Sequence, residues 1–344
     1  MKSPGKRTST ARIDDVAAHA EVSTATVSRA INTPESVRPS TRERINKAIQ
    51  ELGYIPNAGA RALMLGRSGT IGVIVPTLDN AIFARGLEEF QKHLVQKNYQ
   101  VLVASSNYDI EIEERQIINL LTRGVEGMAL FGRSQSKAAL RILNDRSVPR
   151  IHLGTLSPPK GGYACGFDNQ HAIRIGVRHL LELGHREFGI LAGVTHNNDR
   201  ALGRLHGAIE ELRVHGIALP SPRIVESSYD IGVARKKFHD LYKNHPEITA
   251  LICGMDILAI GALSQAQDQG VSIPGQLSII GFDDLELSRH IRPALTTIRI
   301  DAKDMWVKAA EHLLQQIAGA SNLSKKIASK TELIVRESTG PVRA

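Results

Sequence analysis

Apolar residues recur at helical spacing three times within the first 56 residues of the chain. The three apolar faces are Ile13, Val16, Ala17 and Ala20; Val27, Ala30 and Ile31; and Ile45, Ala48, Ile49 and Leu52. Ser23 can cap the second helix, whereas Ser40 and Glu43 predict a capping box at the start of the third, which Gly53 ends. The pattern predicts a three-helix module over residues 1–56. Its first 11 residues, rich in Ser, Thr, Lys and Arg, are expected to be disordered.

The pattern changes at Ile71, where short β-rich runs begin to alternate with amphipathic helical segments or loops. The runs are Ile71–Val75, Gln100–Ala104, Met128–Phe131, Arg150–Leu153, Phe188–Ala192, Ile248–Cys253 and Leu277–Gly281. Such alternation predicts parallel sheets with right-handed crossovers. The roughly 275 residues involved exceed one comfortable core, so two lobes are expected. Residues 57–65 are interpreted as a short segment that ends at Gly66, and residues 66–69 as a linker to these lobes.

Composition is that of a globular chain. Of the 344 residues, 42% are apolar and 23% charged, and no stretch reaches the roughly 18 apolar residues of a membrane helix. The charged N-terminus lacks the apolar core of a secretory signal. The two cysteines, Cys165 and Cys253, point to neither a disulfide framework nor a zinc site. We therefore expect a cytoplasmic protein with no membrane partner, no metal and no cofactor.

Positive charge is concentrated at the N-terminus. The net charge is +8, and residues 1–67 hold 11 Lys and Arg against six Asp and Glu. A basic N-terminal fifth on a nearly neutral body indicates a head that binds a polyanion such as nucleic acid. A solvated basic tail would give the same count, so charge alone leaves both interpretations open.

Residues 15–32 have the pattern of a helix-turn-helix. Ala17 allows two helices to approach closely, and Val22 and Val27 fill a small core. The outward positions of the second helix are Thr24, Ala25, Ser28 and Arg29, which are residue types that contact base edges in the major groove. Ser23, Thr26 and Asn32 suit phosphate contacts. A three-helix packing module with solvated polar faces is the alternative at this point.

Longer motifs raise the case for DNA binding. The segments Val27–Asn32, Thr41–Ile45, Gly53–Asn57 and Ala60–Leu63 resemble, without a gap, the head and hinge of the lactose-repressor (LacI) family. The resemblance implies that Arg29, Thr24 and Ala25 contact the major groove and that residues 57–63 form a hinge helix that orders on the operator. It also assigns Thr41, Tyr54, Asn57 and Leu63 to the DNA-binding set, with Leu63 as an apolar wedge between base pairs.

One position departs from the family pattern. The family usually has glycine at the turn of the helix-turn-helix, whereas this chain has Glu21. A residue other than glycine with positive φ is uncommon and mildly costly, so this departure weakens the match slightly.

The body carries the same resemblance. Thr249–Asp256, Leu277–Asp284 and Pro293–Ile298 resemble the effector domain of the family and, more distantly, periplasmic sugar-binding proteins. The implied fold class is α/β: an all-α helix-turn-helix head plus a two-lobed, type I periplasmic-binding-protein-like parallel α/β sandwich. The implied domains are 1–56, 57–69 and 70–344. Lobe one covers about 70–166 and 296–326 and lobe two about 167–295 and 327–344, with crossings near Gly166, Leu295 and Lys326.

Ligands of open α/β sheets lie beyond the carboxyl ends of the strands. Asp283 follows a predicted strand there, and the resemblance implies that it bonds ligand hydroxyls or amines; a loop cap is the alternative. Arg204 matches the ligand arginine of the family and, as a fork, suits carboxylate, phosphate or paired hydroxyls. Arg200 lies one helical turn earlier on the same face, with a solvated helix as its alternative. Asp256 is predicted to cap a helix rather than contact ligand.

Aromatic side chains that could flank a ligand are scarce, since only 4% of residues are aromatic. Phe83, Tyr229 and Phe282 lie in suitable loops, although each could equally belong to the core. The Leu78–Phe83 loop departs from the Asn-Pro-Phe pattern usual in the family, which puts the ligand role of Phe83 in doubt.

Enzyme motifs are missing from the sequence. It has no phosphate-binding Gly-x4-Gly-Lys-Ser loop, no dinucleotide fingerprint after a strand and no His-Glu-x-x-His pair, and Gly161–Cys165 is too weak a glycine-rich loop for a nucleotide site. We therefore expect a non-enzymatic repressor of a catabolic operon, controlled by a sugar or sugar acid. It should bind a palindromic operator as a homodimer. A tetramer is not expected, since no leucine heptad like that of the tetramer tail of the lactose repressor follows Ser338. A periplasmic-type solute-binding protein and a sugar- or nucleoside-processing enzyme are the alternatives.

Overall fold

The structure of this protein is a computed structural model that describes residues 11–342 except 58, 60, 61, 63 and 65. Residues 1–10, where disorder was expected, and Leu63 lie outside the described residues. The chain divides into two compact units, residues 1–69 and residues 70–344, which are called the head and the body below.

Three helices form the head: α1 (Ile13–His19), α2 (Thr24–Asn32) and α3 (Pro39–Leu52). Their buried residues are Val16, Ala17, Ala20, Val27, Ala30, Ile45 and Ala48, as the apolar periodicity predicts. Ser23 caps α2, because its Oγ accepts a hydrogen bond from the Thr26 amide at 3.2 Å. Glu21 takes the turn with φ of +52°, so a glutamate occupies the left-handed backbone region where the family usually has glycine.

The predicted start of α3 is wrong. The helix begins at Pro39 with Arg38 as its N-cap, so Ser40 lies inside the first turn and does not form a capping box with Glu43. Proline explains the shift, since its fixed φ and missing N–H suit the first helical position. The predicted end is confirmed, because Gly53 adopts a left-handed φ of +58°.

Two six-stranded sheets organise the body. The strands are β1 (Thr70–Val75), β2 (Gln100–Ser105), β3 (Gly127–Phe131), β4 (Arg150–Leu153), β5 (Tyr163–Gly166), β6 (Phe188–Gly193), β7 (Ile224–Ser227), β8 (Ala250–Cys253), β9 (Ser278–Asp283), β10 (Thr296–Ile300), β11 (Lys326–Ala328) and β12 (Thr331–Ile334). The first sheet has the order β11-β5-β4-β3-β1-β2 and the second β12-β10-β9-β8-β6-β7. All pairings between these strands are parallel except β10 with β12.

Helices cover both sheets, as expected for parallel α/β architecture. They are α4 (Ala81–Val95), α5 (Ile110–Thr122), α6 (Lys137–Asp145), α7 (Asn169–Glu182), α8 (Asp199–Val214), α9 (Ile231–Asn244), α10 (Asp256–Asp268) and α11 (Ala302–Ile317). Short 3-10 helices span Pro34–Ser36, Ser221–Arg223 and Glu286–Arg289. The core of lobe one includes Trp306 of α11, which fits against Gly86 so closely that a Cβ on Gly86 would lie 1.7 Å from the indole nitrogen.

The sheets correct two of the three predicted lobe crossings. The first follows β5, close to the predicted Gly166. The second was predicted near Leu295, but β10 pairs with β9 in the second sheet, so the chain crosses after Ile300. The third was predicted near Lys326, but β11 pairs with β5 in the first sheet, so it falls between β11 and β12. Residues 296–300 therefore belong to lobe two, and Ile298 is buried in its core.

Asp256 does not cap a helix, contrary to the prediction. It is the first residue of α10, Met255 is the N-cap, and the Asp256 side chain is completely buried. Its carboxylate accepts hydrogen bonds from the Leu285 amide at 2.8 Å, Ser288 Oγ at 2.6 Å and Thr297 Oγ1 at 2.5 Å. Burial raises the pKa of Asp256 despite these bonds. The residue therefore fastens the loop after β9 to the start of α10.

Acid should destabilise the body through His152, a fully buried residue of β4 whose Nδ1 lies 2.9 Å from the Gly132 carbonyl oxygen. Burial lowers the pKa of His152 from 6.5 to about 4. The unfolded chain therefore takes up this proton first, so stability present above pH 6.5 is lost as the pH falls towards 4, by roughly 3 kcal/mol.

Urea unfolding of wild type and His152→Gln between pH 7 and pH 4 measures this contribution. The variant keeps the other buried histidines and lacks only the contribution of His152. The difference in free energy of unfolding between wild type and variant should therefore shrink, or change sign, as the pH falls. A difference between the two proteins that is the same at pH 7 and pH 4 would contradict the expectation.

Candidate functional site

The outward face of α2 carries the residues predicted to contact bases. Thr24, Ala25 and Arg29 are exposed and Ser28 is half-buried, whereas Val27 and Ala30 are buried against the other helices. A helix with one buried face and a polar N-terminal outer face is what entry into a DNA major groove requires.

The predicted phosphate-contacting residues lie around this face. Ser23 Oγ lies 2.9 Å from Thr26 Oγ1, and Asn32 Nδ2 donates to Ser28 Oγ at 3.3 Å. Thr41 and Tyr54 are half-buried, and Asn57 is exposed. Small polar groups held by short-range bonds can position a helix on the sugar-phosphate backbone. The wedge residue predicted for the hinge, Leu63, lies outside the described residues.

A cavity lies between the two lobes of the body at the carboxyl ends of both sheets. Its lining is Ile82, Phe83, Tyr108, Phe131, Gly154, Phe167, Asn198, Arg200, Arg204, Tyr229, Met255, Asp283, Ile300, Met305 and Trp306. This is the edge where ligands of α/β sheets bind. Five of the six predicted ligand residues are therefore together around one cavity.

Asp283 is an unpaired acid in this lining. It is the last residue of β9, its φ is +115°, and it is only 5% exposed. Its Oδ2 has no hydrogen-bond partner among the described residues, and no backbone amide there donates to its carboxylate, so it is not a loop cap. Burial raises the pKa of Asp283 well above its usual range, while Arg204 partly opposes this. A strained backbone and an unsatisfied buried acid both cost stability. Such costs are found most often at functional sites.

Arg204 is buried against the same cavity. Its guanidinium carbon lies 4.7 Å from the centre of the Phe282 ring, and its Nη1 donates to Asn169 Oδ1 at 2.9 Å. Its Nε has no hydrogen-bond partner among the residues that the structure describes. Asn169 in turn donates from Nδ2 to the Gly154 carbonyl at 2.9 Å. Because Gly154 belongs to lobe one and Asn169 to lobe two, this chain of bonds joins Arg204 to the opposite lobe.

Arg200 is not a solvated helix residue, because it pairs with Asp199, which forms a second link between the lobes. Its side chain is 12% exposed and its Nη1 lies 3.2 Å from Asp199 Oδ1. The same Asp199 oxygen accepts from the Arg133 amide at 3.1 Å and from Ser134 Oγ at 3.4 Å in lobe one. Gly132, with φ of +63°, makes the approach possible, since a Cβ there would lie 1.8 Å from Arg200 Nη1.

Aromatic residues are scarce in the chain but concentrated at this cavity. The sequence has 7 Phe, 6 Tyr and 1 Trp, and six of these 14 line the cavity. The Phe83 ring meets Phe131 edge-on with centres 4.9 Å apart, and Tyr108 of lobe one lies 4.9 Å from Tyr229 of lobe two. Flat faces of this kind suit a ring-shaped ligand.

Phe282 was predicted to contact ligand, but it does not line the cavity. It is completely buried in the core of lobe two, beneath the Arg204 guanidinium. Neighbouring residues of a strand point to opposite faces of the sheet, so Phe282 points away when Asp283 points in. Its contribution to the site is to support Arg204.

Sequence reasoning missed several members of the site. Tyr108 follows β2 and Phe131 ends β3, so the rule that identified Asp283 could have found both. Trp306 and Met305 lie inside α11, and Asn169 lies at the start of α7, where no local signal marks them.

The described residues hold no group of three or more His, Cys, Asp and Glu side chains placed to bind a metal ion. Within the same part of the chain, every helix is too short or too polar to cross a membrane.

A helix-turn-helix head joined to a two-lobed binding body defines a ligand-binding transcription regulator. The sequence model described as bacterial regulatory proteins, lacI family, matches residues 12–57, and that of a periplasmic binding protein-like domain matches residues 177–339. The chain is 33% identical to the HTH-type transcriptional repressor CytR of Escherichia coli over 335 residues, covering 97% of this chain and 98% of that protein. It belongs to the LacI family of bacterial transcription regulators, whose members are DNA-binding proteins and not enzymes.

Other relatives agree over nearly the full length. PurR of Klebsiella pneumoniae, a transcriptional repressor, is 30% identical over 330 residues, 95% of this chain and 96% of its own. The lac repressor dimer bound to operator and the anti-inducer ONPF has a TM-score of 0.84 at 27% identity, covering 96% of this chain and 99% of that one. The complex of the regulator CelR with cellobiose has a TM-score of 0.71 at 25% identity, covering 95% and 99%.

Proposed function

We propose that this protein is a repressor of a catabolic operon whose affinity for its operator is set by a small hydroxylated ligand, a sugar or sugar derivative, bound between the two lobes. The observation that carries the proposal is the buried, unpaired Asp283 beside Arg204 in the interlobe cavity. A buried acceptor without a donor costs stability, and a ligand hydroxyl would satisfy it. Regulators similar in fold support this class of ligand, since one is a complex with cellobiose and another is bound to ONPG.

The active form proposed here is a homodimer that binds a palindromic operator in the cytoplasm. A two-fold dimer presents two heads to two half-sites, which mirrors its own symmetry. The lac repressor of similar fold binds its operator as a dimer. In each head Thr24, Ala25, Ser28 and Arg29 would contact bases, while Ser23, Thr26, Asn32, Thr41, Tyr54 and Asn57 would contact the backbone. Leu63 would be the minor-groove wedge.

The contacts between the lobes suggest how ligand could act on DNA binding. Asp199 accepts from two groups of lobe one, and Asn169 connects Arg204 to Gly154. A ligand held by residues of both lobes favours the arrangement in which these bonds are formed. A ligand shifts an equilibrium only by its differential affinity for the two states. The resulting coupling free energy is typically about 1–3 kcal/mol.

Selection of operator sequences from a random DNA library by the full-length protein tests this proposal. We expect a palindrome of two half-sites, bound by two chains as measured by sedimentation. Affinity should fall steeply, by about 10³- to 10⁵-fold between 50 and 200 mM salt if 6–10 phosphates are contacted. A monomer or tetramer on the selected sequence, or enrichment of no sequence at all, would contradict it.

A further inference from the structure

The mouth of the cleft outside the cavity is acidic. Tyr108 and Tyr229 line both this mouth and the cavity, so their paired rings stand between the two spaces. The mouth is also lined by four carboxylates, those of Asp79, Asp109, Glu111 and Asp230. Among its described lining residues there is no lysine or arginine, although the net charge of the chain is +8.

Two of these acids also cap helices. Asp109 caps α5 by accepting from the Glu111 amide at 2.7 Å and the Ile112 amide at 3.0 Å, which lowers its pKa. Asp230 caps α9 by accepting from the Val233 amide at 2.8 Å. A helix N-terminus carries about half a positive charge, so the full negative charge of each aspartate is larger than the partial positive charge of the helix end that it caps. The basic group of the mouth is an exposed histidine, His196.

Inside the cavity the two arginines differ in their partners. Arg200 pairs with Asp199 at 3.2 Å, whereas Arg204 donates to the neutral side chain of Asn169 at 2.9 Å and lies within salt-bridge distance of no carboxylate among the described residues. The remaining walls are mostly aromatic or aliphatic. An anionic ligand would therefore pass four carboxylates before it reaches Arg204.

We propose that this site selects uncharged ring compounds bearing hydroxyl or amino donors and discriminates against sugar acids and phosphate esters. The inference rests on the proposed function and narrows it, because the sequence alone admitted a sugar acid. Asp283 Oδ2 accepts a donor of the ligand, Arg204 donates to an oxygen of the ligand, and the aromatic walls contact the ring. Neutral glycosides and nucleosides share this chemistry.

Calorimetric titration of the full-length protein with matched compounds tests the inference. The pairs are glucose with glucuronate and with glucose 6-phosphate, cellobiose with cellobionate, and cytidine and adenosine with their 5′-monophosphates. We expect binding by a neutral member and a loss of roughly tenfold or more in its anionic partner at low salt, since each carboxylate at the mouth repels it. Whether a sugar or a nucleoside binds shows to which of these two classes of compound the natural ligand belongs.

A pair of double variants locates the cause of the discrimination. Asp109→Asn with Asp230→Asn removes one charge from each lobe at the mouth, while asparagine still caps both helices. We expect the ratio of neutral to anionic affinity to fall several-fold. The control double variant, Asp145→Asn with Asp240→Asn, removes one exposed helix charge from each lobe elsewhere and should keep the ratio.

An anionic member that binds as tightly as its neutral partner, or an absence of binding by every neutral compound, would overturn the inference. Operator binding by the same preparation separates this failure from failure of the proposed function. If an anion changes operator affinity, the regulator remains and the ligand class is wrong. If the protein selects no operator, the proposed function itself is wrong.

Discussion

Replacing Asp283 by alanine should weaken effector binding by roughly 5- to 150-fold, which corresponds to about 1–3 kcal/mol for leaving the buried polar group of the ligand without its partner. The reason is that Asp283 Oδ2 is buried in the cavity with no partner among the described residues. A group left unsatisfied in the free protein can gain its full bond energy when ligand arrives. Operator affinity without effector should stay within about twofold, because the substitution lies in the body and not in the head.

Thermal stability of the free protein distinguishes a ligand-binding role from a structural one. Removing an unpaired buried carboxylate relieves a desolvation cost, so the melting temperature of Asp283→Ala without ligand should be unchanged or higher. The exposed substitution Asp240→Asn is the control for loss of one negative charge. If the variant melts lower and binds effector within twofold of wild type, then Asp283 is a structural residue.

The second large effect is expected at the DNA-binding face. Arg29 is exposed on α2, beside Thr24 and Ala25 on the outward surface. A bidentate arginine contact to guanine contributes about 1–3 kcal/mol of discrimination. With one head on each half-site, Arg29→Ala should reduce specific operator affinity by roughly 2–6 kcal/mol, or on the order of 30- to 10⁴-fold. Fluorescence anisotropy with labelled operator at fixed salt measures this loss.

Lys47→Ala provides the matched control, because Lys47 is an exposed cation of α3 in the same head and its loss changes the charge equally. On DNA of unrelated sequence the two variants should be weakened alike, since that binding depends on charge alone. An Arg29→Ala protein that loses no more than Lys47→Ala on the selected operator would show that Arg29 contacts only the backbone.

Local patterns determined how much of the fold could be predicted. The head helices and the strands with continuous buried runs, such as Arg150–Leu153, follow from side-chain periodicity. Ile224–Ser227, Lys326–Ala328 and Thr331–Ile334 are short and only partly buried, so they carry no continuous apolar run. Tyr163–Gly166 follows two glycines, which favour a loop at this position. Each becomes a strand by pairing with distant residues, which periodicity does not reveal.

The part of the candidate site that could be predicted is the part that depends on local sequence. Asp283 and Tyr229 follow strands, and their position at the carboxyl edge is a matter of chain order. Trp306 reaches the cavity because α11 returns to lobe one and packs on Gly86, a contact that depends on the whole topology. The partners of Arg200 and Arg204, Asp199 and Asn169, are likewise set by packing of helices on sheets. These contacts therefore emerge only from the structure.

The most direct test of control by ligand is the operator affinity of the full-length protein with and without a saturating neutral effector. We predict a change of about 5- to 150-fold, the range of a coupling free energy of 1–3 kcal/mol, and we predict that Asp283→Ala requires correspondingly more effector for the same change. Operator isotherms that superimpose with and without a ligand bound in the cavity would contradict the account.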